Sequence, residues 1–185
     1  MFKIILFTFL FFENLSFYEN VNKYLVERGY GGRINQEVLV TIYQESQNLI
    51  FKNTEVEKFI FVLSLIELES SFYICAKSYK GATGLMQIMP YTADWLIKKY
   101  SLKINQSLCD PKVNLKLGVL YLNYLWVVFK NKEKVIMAYN LGHNAVLKGK
   151  SNYKYLNKFI KKYLHYKELF YGSGVFIKRK YQLSF

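Results

Sequence analysis

One carboxylate, Glu69, lies on a predicted helix face that is otherwise apolar. It follows Val62, Leu65 and Ile66 by seven, four and three residues, which is the spacing of one helix face. Burial on such a face raises the pKa of a carboxyl group toward neutrality, as a general acid requires. Glu67 points elsewhere on the same helix. This helix is apolar nearly all round, so the same pattern also fits an alternative. In that alternative, Glu69 is exposed in the last turn of the helix and has no catalytic role.

The helix that must position this carboxylate is predicted to begin at Asn53-Thr54. Acidic residues in its first turn favour such a start. The Leu, Ile, Glu and Lys content of the segment that follows favours helix over strand. Residues 73–90 come next and contain two glycines and a proline, so we expect a loop directly after the carboxylate.

The remaining helices are predicted from apolar residues three and four positions apart. The longest opens at Asp110-Pro111, where proline takes the first helical position. Residues 19–34 are polar and contain Gly31-Gly32, which indicates a short lead-in and loop. No alternating strand pattern of useful length is present, so the predicted fold class is all-α. The other predicted helices cover residues 36–51, 91–100, 133–140 and 154–170.

Ordered motifs follow Glu69 along the chain. The first three are Ser70-Ser71-Phe72, Ala76-Lys77-Ser78 and GATGLMQIMPYTA from Gly81 to Ala93. The later ones are Asp110-Pro111 with Asn114, Gly118, Tyr121 and Leu122, and then Ala138-Tyr139-Asn140-Leu141-Gly142. Together these motifs resemble the lytic transglycosylase family, over roughly residues 55–170. The resemblance implies a compact, lysozyme-like helical domain of the goose type, as in the soluble lytic transglycosylases.

The resemblance also implies roles for individual residues. Glu69 would be the sole catalytic acid/base. Met86 would pack beneath the cleft, Tyr139 and Asn140 would face Glu69, and Tyr155 would hydrogen-bond Glu69 or the substrate. The residues with an implied substrate-binding role are Ser78, Met86, Gln87, Tyr139, Asn140 and Tyr155.

A single carboxylate restricts the chemistry. Most glycoside hydrolases use two, and Glu67, Asp94 and Asp110 show no compelling pattern for a second. The resemblance therefore implies an exported lytic transglycosylase. It would cleave the β-1,4 bond between N-acetylmuramic acid and N-acetylglucosamine of peptidoglycan, with formation of 1,6-anhydromuramic acid and without metal or cofactor. A muramidase-type hydrolase on the same fold and a non-catalytic cell-wall-binding protein are the alternatives.

Positive charge is concentrated in the C-terminal part of the chain. The 185 residues carry a net charge of +13, and residues 110–185 hold 15 basic and 3 acidic residues of that total. Such a region favours a polyanionic partner, although lysines on any solvated face give the same composition. With the motifs, we expect peptidoglycan strands as the partner, with an anionic wall polymer or membrane surface contacting the basic region. No nucleic acid is expected, because no recognisable binding motif is present.

The N-terminus is typical of an export signal. Lys3 precedes a nine-residue apolar run at 4–12, which is too short for a comfortable membrane span of about 20 residues. We expect a periplasmic or cell-envelope protein whose signal is cleaved or retained as a weak anchor, with an ordinary buried segment as the alternative. The predicted organisation is a signal peptide or signal-anchor at 1–18, a helical lead-in at 19–54, the catalytic domain at 55–170 and a tail at 171–185.

Cysteine and histidine are scarce. Two Cys and two His are too few for a disulfide-dense scaffold or a Cys/His zinc site. Cys75 and Cys109 are able to form a disulfide if the domain is exported. Their spacing permits the bond without establishing that they are close, so both the bonded and the free state stay open at this point.

Overall fold

The computed structural model describes residues 19–171, and within this range all regular structure is helical apart from two isolated β-bridges. The expected all-α fold is confirmed. Within the same range no helix is both long enough and apolar enough to cross a membrane. The predicted export segment, 1–18, and the tail beyond residue 171 lie outside the described residues. The helices are α1 (19–27), α2 (Gln36–Ser46), α3 (Glu55–Ser70), α4 (Pro90–Lys99), α5 (Pro111–Phe129), α6 (Lys132–Leu141), α7 (His143–Leu147) and α8 (Tyr153–Tyr171).

Helix α3 runs through the core. The Thr54 hydroxyl accepts a hydrogen bond from the Glu57 backbone N–H at 3.1 Å, and the Glu57 carboxylate accepts one from the Thr54 N–H at 3.3 Å. This reciprocal cap begins the helix at the predicted place. Every residue from 59 to 67 is buried, because α3 packs against both α2 and α8. The helix that carries Glu69 is therefore held on several sides.

Helix α5 forms the second support of the fold. Asp110 accepts a hydrogen bond from the Val113 N–H at 2.9 Å, and Pro111 takes the first helical position, as predicted. The apolar stripe of α5 faces the core through Leu115, Leu122 and other buried residues. The helix packs against α2, α4 and α6, so it joins the N-terminal helices to the motifs that follow Glu69.

The N-terminal region is more ordered than its polar composition indicates. Within the expected lead-in, residues 19–27 form the regular helix α1. Val21, Tyr24 and Leu25 are buried, at the three- and four-residue spacing of one helix face. Three apolar contacts are enough for a short helix when neighbouring helices cover it, and such contacts are not visible in local composition. The short helix α7 was also absent from the prediction.

A buried carboxylate, Glu67, connects helices α3 and α8 to the segment that follows α1. Its Oε1 atom lies 2.6 Å from Lys162 Nζ on α8 and 3.6 Å from Arg28 Nη2 of the N-terminal segment. The Tyr30 hydroxyl donates to the same oxygen at 3.2 Å. The buried hydroxyl of Tyr166 lies nearby, and its pKa is raised by burial and by the Glu67 charge. A buried charge requires such partners, so Glu67 is paired and hydrogen-bonded.

Candidate active site

Helix α3 ends directly after Glu69. Ser71 and Phe72 both have positive φ, at 49° and 66°, in the left-handed region that residues other than glycine rarely adopt. The Arg33 guanidinium donates to the Ser71 carbonyl oxygen at 2.8 Å, and the Phe72 side chain is fully buried. These contacts stabilise an unfavourable backbone conformation at the helix end. As a result the chain leaves the helix abruptly and Glu69 stands in its last turn.

The Glu69 carboxyl group is largely removed from solvent. Burial raises its pKa from 4.5 to about 6, and a hydrogen bond from the Tyr155 hydroxyl to Oε1 acts in the opposite direction. Burial and the Glu69 charge together raise the pKa of Tyr155 well above 10, so the phenol stays protonated and remains the donor. The structure thus places the Tyr155 hydroxyl against Glu69, and its role toward the substrate stays a prediction.

The loop after α3 is folded on itself by hydrogen bonds. The Ser78 hydroxyl accepts from the Ala82 N–H at 3.0 Å. The Gln87 side-chain amide donates to the carbonyl oxygens of Ala76 and Gly84, both at 2.9 Å. Gln87 itself has a φ of 48°, which its side-chain bonds help to maintain. Two residues predicted to bind sugar thus also organise the loop that carries them.

Asn114 of α5 holds the same loop from the other side. Its side-chain oxygen accepts from the Met86 N–H at 2.7 Å, and its amide donates to the carbonyl oxygens of Thr83 and Leu108, both at 2.9 Å. The side chain is fully buried with its hydrogen-bonding groups satisfied. In the sequence, Asn114 stands out only as part of the motif that begins at Asp110-Pro111. A polar residue among the apolar residues of α5 is the signal that indicates a buried structural role.

Met86 lies between α5 and α6. Its side chain is fully buried, and a Cβ added to Gly118 would overlap its Sδ atom and lie 2.7 Å from its Cε. Glycine at position 118 thus lets the methionine reach the helix backbone. The Tyr139 hydroxyl donates to the Met86 carbonyl oxygen at 2.8 Å. Burial raises the pKa of Tyr139 well above 10, and the Glu69 charge adds to this increase, which places the phenol within electrostatic range of Glu69.

Asn140 acts on the beginning of α8. Its side-chain oxygen accepts from the Asn152 amide at 2.8 Å, and the Asn152 oxygen caps α8 by accepting from the Tyr155 N–H at 3.0 Å. Asn140 therefore reaches Glu69 indirectly, through the helix start that carries the Tyr155 hydroxyl. The role of Asn140 toward Glu69 or the substrate stays a prediction.

A disulfide ties the loop to the segment before α5. Cys75 and Cys109 are bonded, with their Cα atoms 4.6 Å apart. The bond fixes the start of the Ser78–Gln87 loop beside the segment whose Leu108 carbonyl accepts from Asn114. Among residues 19–171 no group of three or more His, Cys, Asp or Glu side chains is arranged to hold a metal ion.

Residues 51–167 match the transglycosylase SLT domain, which covers more than half of the chain. The chain belongs to this family. It is a lytic transglycosylase of the lysozyme-like superfamily, as the motifs after Glu69 predicted.

Relatives of this lytic transglycosylase differ widely in length. A membrane-bound lytic murein transglycosylase E of Buchnera aphidicola subsp. Baizongia pistaciae is 32% identical over an alignment 187 positions long, which covers 89% of this chain and 88% of that protein. The soluble lytic murein transglycosylase of Escherichia coli is 37% identical over 90 residues, which span 46% of this chain and 14% of that protein. The chain thus matches one relative almost end to end and the other over a small part.

Solved structures of lytic transglycosylases share the fold. The 70-kDa soluble lytic transglycosylase of Escherichia coli superimposes with a TM-score of 0.56 and 25% identity, over 72% of this chain and 24% of that one. An inactive Glu-to-Gln variant of the Pseudomonas aeruginosa enzyme Slt gives a TM-score of 0.53 and 26% identity, over 70% of this chain and 22% of that one. The lysozyme-like fold expected from the motifs is confirmed.

Proposed function

We propose that this protein cleaves the β-1,4 bond between N-acetylmuramic acid and N-acetylglucosamine in peptidoglycan and forms 1,6-anhydromuramic acid, with Glu69 as the single general acid/base. The observation that carries the proposal is the environment of Glu69. Burial raises its pKa to about 6, and within residues 19–171 the Tyr155 hydrogen bond acts against this increase. A carboxyl group in this state is protonated often enough near neutral pH to act as an acid.

The first step uses the protonated form of Glu69. Tyr155 donates to Oε1, which leaves Oε2 to carry the proton. Glu69 delivers that proton to the glycosidic oxygen, and the bond from this oxygen to C1 of the muramic acid breaks. The N-acetyl group of the same sugar stabilises the positive charge at C1, which is the substrate-assisted exception to the two-carboxylate rule.

The second step uses the carboxylate that remains. Glu69 accepts the proton of the C6 hydroxyl, and the C6 oxygen bonds to C1 to close the anhydro ring. Glu69 ends in its original protonated state and water is not consumed. Among residues 19–171, burial and the Tyr155 hydrogen bond account for the shift in the Glu69 pKa, without a contribution from a second carboxylate. Glu67 is paired with Lys162, and Asp110 caps α5. This supports a mechanism with one carboxylate.

Substrate contacts are proposed for residues around this carboxyl group. Ser78, Met86 and Gln87 belong to the loop that follows Glu69, and the Tyr139 hydroxyl donates to the Met86 carbonyl oxygen. Asn140 acts through Asn152 on the helix that carries Tyr155, the remaining residue of the predicted set. We assign these residues to sugar binding and to holding Glu69 in place.

A location in the cell envelope, reached by the N-terminal segment, belongs to the same proposal. Exposed lysines at positions 148, 150, 154, 158 and 161 lie on and before α8. They would hold the enzyme near anionic wall polymers or a membrane surface, with a strength that falls as salt increases.

Mass spectrometry of the products released from purified sacculi tests the reaction. Wild type should release anhydro-muropeptides, and Glu69→Gln should release none. Products with free reducing ends would instead identify a muramidase-type hydrolase. Binding to sacculi without any product from the wild type would identify a non-catalytic wall-binding protein.

A further inference from the structure

Helices α4 and α5 present a continuous group of aromatic side chains beside the candidate active site. On α4, Tyr91 and Trp95 are four residues apart and share one face of the helix. They are 69% and 37% exposed, respectively. On α5, Tyr121 and Tyr124 lie three residues apart. We call Tyr91, Trp95, Tyr121, Tyr124 and Tyr139 the aromatic wall.

The aromatic wall begins at Tyr139 of α6. The Tyr139 ring, whose hydroxyl bonds the Met86 carbonyl, lies 5.4 Å from the Tyr121 ring between centroids. Tyr121 stacks on Tyr124 at 6.3 Å, and Tyr124 meets Trp95 edge-on at 4.7 Å. Each ring therefore touches the next, from the surroundings of Glu69 to an exposed tryptophan.

Tyr91 completes the α4 side of the aromatic wall. Burial raises the pKa of Tyr121 to about 12, with further contributions from Tyr91 and Tyr124, so both phenols lie within electrostatic range of Tyr121. The exposed edge of the wall thus combines flat apolar surfaces with phenol groups that donate hydrogen bonds. This combination suits a sugar ring, which has an apolar C–H face and a rim of hydroxyl groups.

A cation lies over the outer end of the aromatic wall. Lys99 follows Trp95 by four residues on α4, and its Nζ atom lies 5.5 Å from the Trp95 ring centroid and 5.8 Å from that of Tyr124. Among residues 19–171 no carboxylate is within ion-pair distance of Lys99. An ammonium group held over aromatic rings without a counter-charge is available to an anionic group on a ligand.

We propose that the aromatic wall binds a sugar unit of the glycan strand away from the bond that is cleaved, with the sugar packed on Trp95 and a carboxylate of its lactyl or peptide substituent paired with Lys99. This inference rests on the proposed function for the identity of the ligand. It adds a binding subsite and a specificity for anionic over neutral strands. Trp95 and Lys99 belong to none of the motifs on which the family resemblance depends.

Binding without turnover tests the subsite. The chain contains two tryptophans, so Trp126→Phe leaves Trp95 as the sole tryptophan fluorophore. Trp126 packs against Phe51 and is not part of the aromatic wall. In a Glu69→Gln, Trp126→Phe protein, we expect the Trp95 emission to change when long N-acetylglucosamine oligomers or peptide-free glycan strands bind. Calorimetry on the Glu69→Gln protein gives the affinities independently.

Substitutions of Trp95 and of Lys99 should change glycan binding in different ways. Trp95→Ala should weaken binding of long oligomers about tenfold and leave the shortest oligomers unaffected, while Trp95→Phe should retain most of the affinity. Lys99→Gln should weaken only the anionic glycan strands, about threefold at low salt and not at high salt. Lys130→Gln is the matched control, because Lys130 lies 6.0 Å from the Trp126 ring and outside the wall.

Three results would overturn the proposal. They are an unchanged Trp95 emission when long oligomers are bound, equal affinity of Trp95→Ala and its parent for every length, and no binding of long oligomers by the Glu69→Gln protein. Failure of the proposed function is a separate result. A wild type that forms no anhydro product, but whose Trp95 still responds to glycan, would retain the subsite and lose the reaction.

Discussion

The Tyr155 hydroxyl on α8 donates a hydrogen bond to Oε1 of Glu69 in the last turn of α3. The two residues are 86 positions apart in the chain, and Asn152 positions the donor by capping α8. The bond offsets part of the pKa increase that burial causes at Glu69. Tyr155 therefore adjusts the acid strength of Glu69 as well as its orientation.

Tyr155→Phe should change the pH dependence of activity. The first step needs protonated Glu69, so kcat/KM falls as pH rises through the Glu69 pKa of about 6. Loss of a bond that lowers this pKa should move the alkaline decline to higher pH. It should also reduce the maximal rate roughly 10- to 100-fold, because this is the rate equivalent of the free energy of one hydrogen bond to a charged group.

The pH profile of kcat/KM on sacculi measures this change. Tyr153→Phe is the control, since Tyr153 lies on the same helix and is 62% exposed. An alkaline decline in Tyr155→Phe at the same pH as in wild type, or at lower pH, would show that the hydrogen bond does not set the Glu69 pKa.

Glu69→Gln should make the protein more stable at neutral pH. Burial raises the Glu69 pKa to about 6 in the folded protein, above its value of 4.5 elsewhere, so the native state loses stability as pH rises through this interval. Glutamine carries no charge and still accepts the bond from Tyr155. We expect a gain of up to ~2 kcal/mol at pH 7 and none at about pH 4, where the carboxyl group is protonated in both states.

Denaturant unfolding of both proteins across this pH range measures the gain. Glu168→Gln, at an exposed position of α8, is the control and should differ from wild type by less than about 0.5 kcal/mol at every pH. If Glu69→Gln is less stable than the wild type at pH 7, burial does not disfavour the charged form of Glu69.

Gly118→Ala should displace Met86. The added methyl group would overlap the Met86 Sδ atom, and the fully buried methionine has little room to retreat. Overpacking of this kind costs about 1–3 kcal/mol of stability. Activity should fall as well, because the Met86 backbone joins Asn114 to Tyr139.

A double-mutant cycle with Met86→Ala isolates the contact. Met86→Ala alone should cost about 2–5 kcal/mol through the cavity it leaves. The double variant should be more stable than the sum of both effects indicates, because each change relieves the other. Strict additivity would mean that the two side chains do not compete for the same space.

Reduction of the Cys75–Cys109 disulfide should lower stability. The bond links residues 34 positions apart, and closing a loop of this size stabilises a folded protein by about 3–4 kcal/mol in the chain-entropy account. Thermal unfolding with and without a reductant measures the loss. A variant with Cys75→Ala and Cys109→Ala should unfold at the temperature of the reduced wild type, and the reductant should not change that temperature. If the reductant does not change the unfolding temperature of the wild type, the disulfide does not stabilise the protein.

Sequence predicts the parts of this fold whose signals are local. The start of α3 at Thr54 and of α5 at Asp110-Pro111 depend on caps within four residues, and both predictions are confirmed. The organisation of the loop is different. Asn114 reaches Met86 across 28 residues, and Asn140 acts on Tyr155 through Asn152. Such contacts depend on how helices pack, which local patterns do not specify.

The same distinction applies to the disulfide and to α1. Spacing permitted a Cys75–Cys109 bond, and only the approach of the loop to the start of α5 establishes it. Residues 19–27 are too short and polar for a helix on their own and are stabilised by the core that Val21 and Leu25 enter. Residue roles in sugar binding stay predictions, since they concern a ligand rather than the packing of the chain.

The pairing of Glu67 with Arg28 and Tyr30 couples the segment after α1 to helix α3, so it affects local unfolding and sensitivity to proteases. The family match begins at residue 51, but a fragment starting there would lose two partners of a buried carboxylate and the Arg33 bond to the end of α3. The amides of α1 and of the last turn of α3 should therefore exchange with solvent in one cooperative event. A protease that cuts between α1 and α2 should destabilise the turn that carries Glu69, although the cut lies outside the residues that match the SLT domain.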